Sequence, residues 1–150
     1  MALDEIDLRL LTALQQDATS SYADLGAAVG LSPGAAHERV RKLKASGVIR
    51  RTTIEVDPGA LGRGVLAYVL LDAESWMGDE STAQAIAAIP EVEEAHVIAG
   101  PATVLVKVRT RSTEDLQAAL RSLHGVEGVT STQTIVVLDS FFERLPHVGQ

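Results

Sequence analysis

Apolar residues recur at helical spacing through the first third of the chain, then alternate or run on continuously, as strands do, through the rest. Ile6, Leu10 and Leu14 follow Asp4 at four-residue intervals. Asp4 suits an N-cap and Asp7 places a second carboxylate by the exposed amides, so a helix is predicted over residues 4–16. Ser21 and Asp24 make a loose capping box ahead of Tyr22, Leu25 and Val29, and Gly30 ends that second, short helix. A third begins at once, with Ser32 as N-cap and Pro33 in the first helical position, and runs to about Ser46 before Gly47 stops it. Helices joined by so short a Gly30-Leu31 turn cannot lie side by side in a long hairpin. Gly26 supplies a small residue where their backbones meet, which is helix-turn-helix geometry. On the third helix Ala36, Val40 and Leu43 form the buried stripe. Gly34, His37, Glu38, Arg41 and Lys42 occupy the opposite side, which can enter a major groove. Residues Val48 to Val56 alternate in part and are expected to form a strand flanking that groove as a wing.

Asp57, Pro58, Gly59, Gly62 and Gly64 then break every period, so residues 1–56 and 65–150 read as two halves joined by a linker at 57–64. In the second half, residues 65–71, 96–99, 104–108 and 134–138 are strand-like. Ala87 to Ala95 matches Arg121 to Val129 in type at a 34-residue offset, each time a helix end, a turn and a strand start. Ser112 with Asp115 caps the second helix of this half, whose core face is Leu116, Ala119, Leu120 and Leu123. The order strand, helix, strand, strand, helix, strand predicts a ferredoxin-like antiparallel sheet with both helices on one face, and hence an α+β chain. Runs such as Val65 to Leu71 and Ile135 to Leu138 are apolar at successive positions, so the uncovered face calls for a second cover. A second copy is the simplest one: a homodimer is expected, with a tetramer or octamer as larger assemblies.

Charge sharpens the reading. The 150 residues carry a formal net charge of -7, yet six of the 13 Lys and Arg residues (Arg39, Arg41, Lys42, Lys44, Arg50, Arg51) fall between positions 39 and 51, where no Asp or Glu occurs. Such asymmetry is the footprint of local phosphate contact. Ser32, Gly34, His37, Glu38, Arg39, Arg41, Lys42, Arg50 and Arg51 are therefore candidate DNA-binding residues. Glu38 either accepts from a cytosine amine or pairs with Arg41 or Lys42; Arg39 either touches the DNA backbone or braces the first helix. The absence of Cys excludes disulfides and thiolate metal sites, and the four His lie in separate elements without metal-ligand spacing. No nucleophile turn or phosphate loop occurs, so no cofactor, metal or catalytic residue is expected. The acidic run Glu91, Glu93 and Glu94 reads as solvated, or as a salt-bridge partner for a neighbouring subunit. With no signal peptide pattern and no apolar run of about 18 residues, a cytoplasmic, nucleoid-associated protein without membrane contact is expected.

The residues Leu3-Asp4, Asp7, Leu25, Val29-Gly30-Leu31-Ser32, Arg39-Val40, Leu43, Gly47-Val48-Ile49, Asp57-Pro58, Leu61-Gly62, Pro90-Glu91-Val92, Gly100 and Thr134-Ile135-Val136 together resemble the Lrp/AsnC, or feast/famine, regulators. The resemblance implies a prokaryotic transcriptional regulator. Its winged helix-turn-helix would bind double-stranded operator DNA, and its RAM/ACT-like domain would oligomerise and bind a small effector, often an amino acid. It places the effector-binding candidates at Gly100, Pro101, Ala102 and Thr103, with Thr132 and Thr134. Two departures stand out. Ala36 replaces a large aliphatic residue, which predicts looser packing of the third helix. Thr103 replaces the Asp of a Gly-x-x-Asp turn, so the carboxylate suited to an effector's ammonium is missing. Two alternatives rest on the same architecture: a siroheme-decarboxylase-like enzyme using His96 or His124 with Arg109 or Arg111, and a stand-alone metabolite sensor.

Overall fold

The computed structural model describes residues 2–74 and 77–148. They divide into two compact units, Met1–Glu55 with Glu143–Gln150, and Val56–Phe142.

The first unit holds α1 (Glu5–Gln16), α2 (Tyr22–Val29) and α3 (Pro33–Ala45). Each starts where a short polar side chain satisfies an exposed amide. Asp4 Oδ1 accepts from Asp7 N at 2.8 Å, Ser21 Oγ from Asp24 N at 3.1 Å and Ser32 Oγ from Ala35 N at 3.2 Å. At Asp4 the box is reciprocal, because the Asp7 carboxylate accepts from Asp4 N. Gly30 closes α2 in the left-handed conformation, φ 75°, which glycine adopts without a Cβ penalty. Leu10, Leu25, Val29, Ala36 and Val40 interlock into one core, with Ile6, Ala13, Leu14, Leu31 and Ile49 packed around it. Ala36, at 0% exposure, is sealed despite its small side chain.

One expectation fails in this unit. The wing strand over Val48 to Val56 is not formed: after the turn at Gly47 the chain carries no regular structure from residue 50 to 57. A strand needs a neighbour about 4.8 Å away to receive its N–H and C=O groups, and the described residues of this unit contain no second strand. The described residues beyond 142 group with the helices. Gln15 Nε2 donates to Pro146 O at 2.8 Å, and Gln15 Oε1 accepts from Val148 N at 2.9 Å.

The second unit runs β1 (Val65–Ala73), α4 (Glu80–Ala87), β2 (Val92–Val97), β3 (Val104–Thr110), α5 (Thr113–His124) and β4 (Val129–Val136). The sheet is antiparallel in the order β2-β3-β1-β4, as the ferredoxin-like reading requires. Ser112 caps α5 through Asp115 N. Ala67, Val69, Leu71, Val104, Val106 and Val108 share one face, packed under Ile86 and Ile89 from the α4 side and Leu116, Ala119 and Leu123 from α5. The register puts Leu66, Tyr68, Leu70, Leu105, Lys107, Arg109 and Ile135 on the other face, where Ile135 stays half exposed. β2 and β4 start earlier than their apolar runs suggest, at Val92 and Val129. The internal repeat, which aligns the two helix ends, marks those starts better.

Candidate nucleic-acid interface

The turn between α2 and α3 fixes how α3 is presented. Leu31 N donates to Gly26 O at 2.8 Å, and a Cβ added at Gly26 would lie 2.5 Å from Leu31 O, so this position requires glycine. Ala36, Val40 and Leu43 then face inward, and Ser32, Gly34, His37, Arg41 and Lys42 are exposed, with Glu38 half-buried. Ser32 Oγ serves the helix as an acceptor, which leaves its proton for a phosphate oxygen. A Cβ at Gly34 would meet nothing within 4 Å, so no packing within the chain demands glycine there. The His37 ring meets Tyr22 of α2 edge-on at 4.7 Å, which limits its swing. Sequence reading placed Tyr22 only in the α2 stripe, and a contact between residues 15 positions apart on different helices leaves no local signal.

Ion pairs sort the basic residues. Arg41 grips Glu38 as a two-pronged fork, Nε to Oε2 at 2.8 Å and Nη2 to Oε1 at 2.7 Å, and Lys42 Nζ stands 3.9 Å from Oε1. The hydrogen bond from Arg41 holds the Glu38 carboxyl below its ordinary range. Glu38 thus takes the pairing role rather than standing alone. Arg39 does not share this outer face: Nη1 donates to Asp4 Oδ2 at 2.7 Å and Asp7 Oδ1 at 2.8 Å, tying α3 to the start of α1. Of its two readings, the brace describes its placement. Lys44, Arg50 and Arg51 are exposed and carry no ion pair with any described residue.

The brace has a pH signature. The Asp7 amide first, and the Arg39 guanidinium second, lower the Asp4 pKa from its ordinary 3.8. A carboxyl depressed by folding stabilises the fold above its unfolded pKa, and that contribution is lost as the pH falls through the lower, folded value. Acid titration followed by circular dichroism should show helix loss beginning below about pH 4. Asp4→Asn should lack the Asp4 share of that loss while being less helical at neutral pH.

The effector candidates are dispersed. Gly100 to Thr103 form the β2–β3 turn, where Thr103 N donates to Leu71 O at 3.0 Å, and Leu71 is in turn the register partner of Thr132. Thr103 and Thr132 therefore flank β1 from opposite sides, about 10 Å apart at one strand spacing each. Thr134 pairs with Val69 on the helix-covered face. Two of the three carboxylates of the acidic run are committed within the chain: Glu93 Oε1 accepts from Arg109 Nε at 2.8 Å, and Glu94 lies 3.6 Å from Lys107 and 3.2 Å from His96. Among the described residues no group of three His, Cys, Asp or Glu side chains is placed to hold a metal, and no helix is long and apolar enough to cross a membrane.

This architecture matches known proteins in both units. Residues 3–44 match the AsnC-type helix-turn-helix domain and residues 67–146 the Lrp/AsnC ligand binding domain. The chain belongs to the Lrp/AsnC family. It is 36% identical over 141 residues to the HTH-type transcriptional regulator FL11 of Pyrococcus horikoshii, covering 94% of this chain and 93% of that one. It is 32% identical over 139 residues to the regulatory protein AsnC of Escherichia coli, covering 92% and 91%. The solved structure of E. coli AsnC superposes with a TM-score of 0.88 at 31% identity, covering 97% of this chain and 99% of that one. The feast or famine regulatory protein of Mycobacterium tuberculosis, complexed with L-methionine, gives 0.89 at 27%, covering 99% and 100%. This Lrp/AsnC protein is a transcriptional regulator with a helix-turn-helix DNA-binding domain and a ligand-binding domain.

Proposed function

We propose that operator DNA lies against the outer face of α3, with His37, Arg41 and Lys42 at base edges or phosphates, Ser32 on phosphate, and Lys44, Arg50 and Arg51 on the flanking backbone. Glu38 holds Arg41 extended and presents its own carboxylate as an acceptor. A homodimer built on the uncovered sheet face, through Tyr68, Leu70, Leu105 and Ile135, would pair two such helices for half-sites about one DNA turn apart. Tetramers or octamers would extend that pairing. The effector is amino-acid-like, a reading supported by the L-methionine complex of the mycobacterial relative. Thr103 would offer it a hydroxyl beside the Gly100-Pro101-Ala102 turn, and the cytoplasm, around the nucleoid, is the compartment where operator and metabolite meet.

The observation that carries the DNA assignment is Gly34, a helical glycine on the exposed basic face with open space where its Cβ would be. Glycine in a helix interior costs roughly 0.5–1 kcal/mol relative to alanine, and part of that cost applies at the second residue of α3. No packing against the described residues repays it, whereas a DNA backbone approaching closely would. Gly34→Ala should therefore raise the stability of the first unit by up to about 1 kcal/mol while weakening operator binding at least about tenfold. Thermal melting and fluorescence anisotropy on the upstream duplex read the two effects. Unchanged affinity in the stabilised variant would remove α3 from the interface.

A further inference from the structure

At the end of the sheet remote from the Gly100–Thr103 turn lies a polar cleft of about 290 Å³, lined by Arg63, Glu91, Arg109, Thr110, Arg111 and Asp115. The seven residues of β3 separate it from the turn by about 20 Å. All six side chains lining it are polar or charged.

Four of them are committed. Arg111 Nε donates to Asp115 Oδ2 at 2.9 Å, and Arg109, 8% exposed, donates from Nε to Glu93 Oε1 at 2.8 Å. Thr110, 2% exposed, donates its hydroxyl proton to Ser112 O at 2.9 Å, so its oxygen keeps lone pairs for a further donor. Two charges remain. The side chains of Arg63 and Glu91 make no hydrogen bond or ion pair with any described residue, and they do not pair with each other although they line the same cleft. One guanidinium and one carboxylate thus stand apart across a polar space.

We propose that this cleft is a second ligand site, distinct from the β2–β3 turn, and that it takes a zwitterionic α-amino acid with a small or polar side chain. Arg63 receives the α-carboxylate as a two-pronged donor. Glu91, with the Thr110 oxygen, receives the α-ammonium. The charge pattern selects this class. A simple anion would face the Glu91 carboxylate and a simple cation the Arg63 guanidinium, whereas one molecule bearing both charges answers each. An apolar side chain would find no apolar wall here. The site also supplies the carboxylate that the turn lacks at Thr103.

Isothermal titration of the full chain with each proteinogenic amino acid tests the proposal. At least one polar or small amino acid should bind, and Arg63→Gln and Glu91→Gln should each weaken it about tenfold or more. Thr103→Val should leave unchanged the binding that Arg63→Gln and Glu91→Gln weaken, whatever it does to an effector held at the turn. With the unaltered protein, the deamino analogue of that amino acid should bind at least about tenfold more weakly, and Glu91→Gln should cost it nothing further. Absence of binding at millimolar concentration across the panel would overturn the proposal. So would a panel in which every amino acid that binds keeps its affinity in both Arg63→Gln and Glu91→Gln, or loses it in Thr103→Val.

Discussion

Replacing Gly26 with alanine is expected to unfold the helix-turn-helix while leaving the sheet intact. The new Cβ would lie 2.5 Å from Leu31 O and 3.2 Å from both the carbonyl carbon and oxygen of Ser32, all backbone atoms of the turn that sets the angle of α3. Side chains can swing away from such a clash; a backbone held by the Leu31-to-Gly26 hydrogen bond and the Ser32 cap cannot. Overpacking of this kind costs about 3 kcal/mol, a large part of what a unit of about 55 residues has to spare. Gly30 provides the internal comparison. Its φ of 75° is strained for alanine, but no atom lies within 4 Å of its Cβ position, so Gly30→Ala should cost only about 1 kcal/mol. Amide hydrogen exchange reads the difference by region: α2 and α3 should lose protection in Gly26→Ala, while β1 and β3 keep theirs. Equal loss in both units, or none, would show that the turn does not set the stability of the helical unit.

The same contrast between local and remote determinants explains what could be read from the chain. The caps at Asp4, Ser21, Ser32 and Ser112 were legible because each bond spans three residues. The buried stripe Ala36, Val40 and Leu43 was legible because a helix repeats its inward face. Strand limits were harder to read at the sheet edges. β2 and β4 each have one free side, so they tolerate Glu93, Glu94 and His96, or Ser131, Thr132 and Gln133, where an apolar run would mark a central strand. The wing was misread because pairing depends on a neighbour that alternation within one segment does not guarantee. Arg39 kept two readings for a similar reason: the carboxylate that captures it at 2.7 Å is 35 positions away. In the ligand-binding unit, Arg63 and Glu91 drew no notice in the sequence as a pair, since it takes the β1–β3 and β2–β3 pairings together to bring residues 63, 91 and 110 to one end of the sheet.

Double replacement of Arg50 and Arg51 by alanine should produce the largest loss of DNA affinity that leaves the fold untouched. Both are exposed, lie outside every helix and strand, and have no ion pair with described residues, so their removal costs no packing. If each neutralises one phosphate, the pair accounts for about 1.8 units of the log–log salt slope per chain, and a twofold assembly doubles this. Affinity should fall by two orders of magnitude or more near physiological salt, similarly for specific and scrambled duplexes, because phosphate contacts position the protein without reading sequence. Arg41→Ala should behave differently and narrow the gap between the two duplexes, as expected of a group at the base edges. A double variant with normal affinity would confine the interface to α3.

The central claim is that an acidic chain with a formal net charge of -7 grips a polyanion through one basic face. The most direct measurement is the affinity of the unaltered protein for its own upstream duplex, by fluorescence anisotropy, across 50 to 300 mM salt (chosen to span roughly a twofold range of Debye length). The account predicts a straight, steep decline of log affinity against log salt, with preference for the upstream duplex over a scrambled one throughout. A flat line, or binding that strengthens with salt, would contradict it.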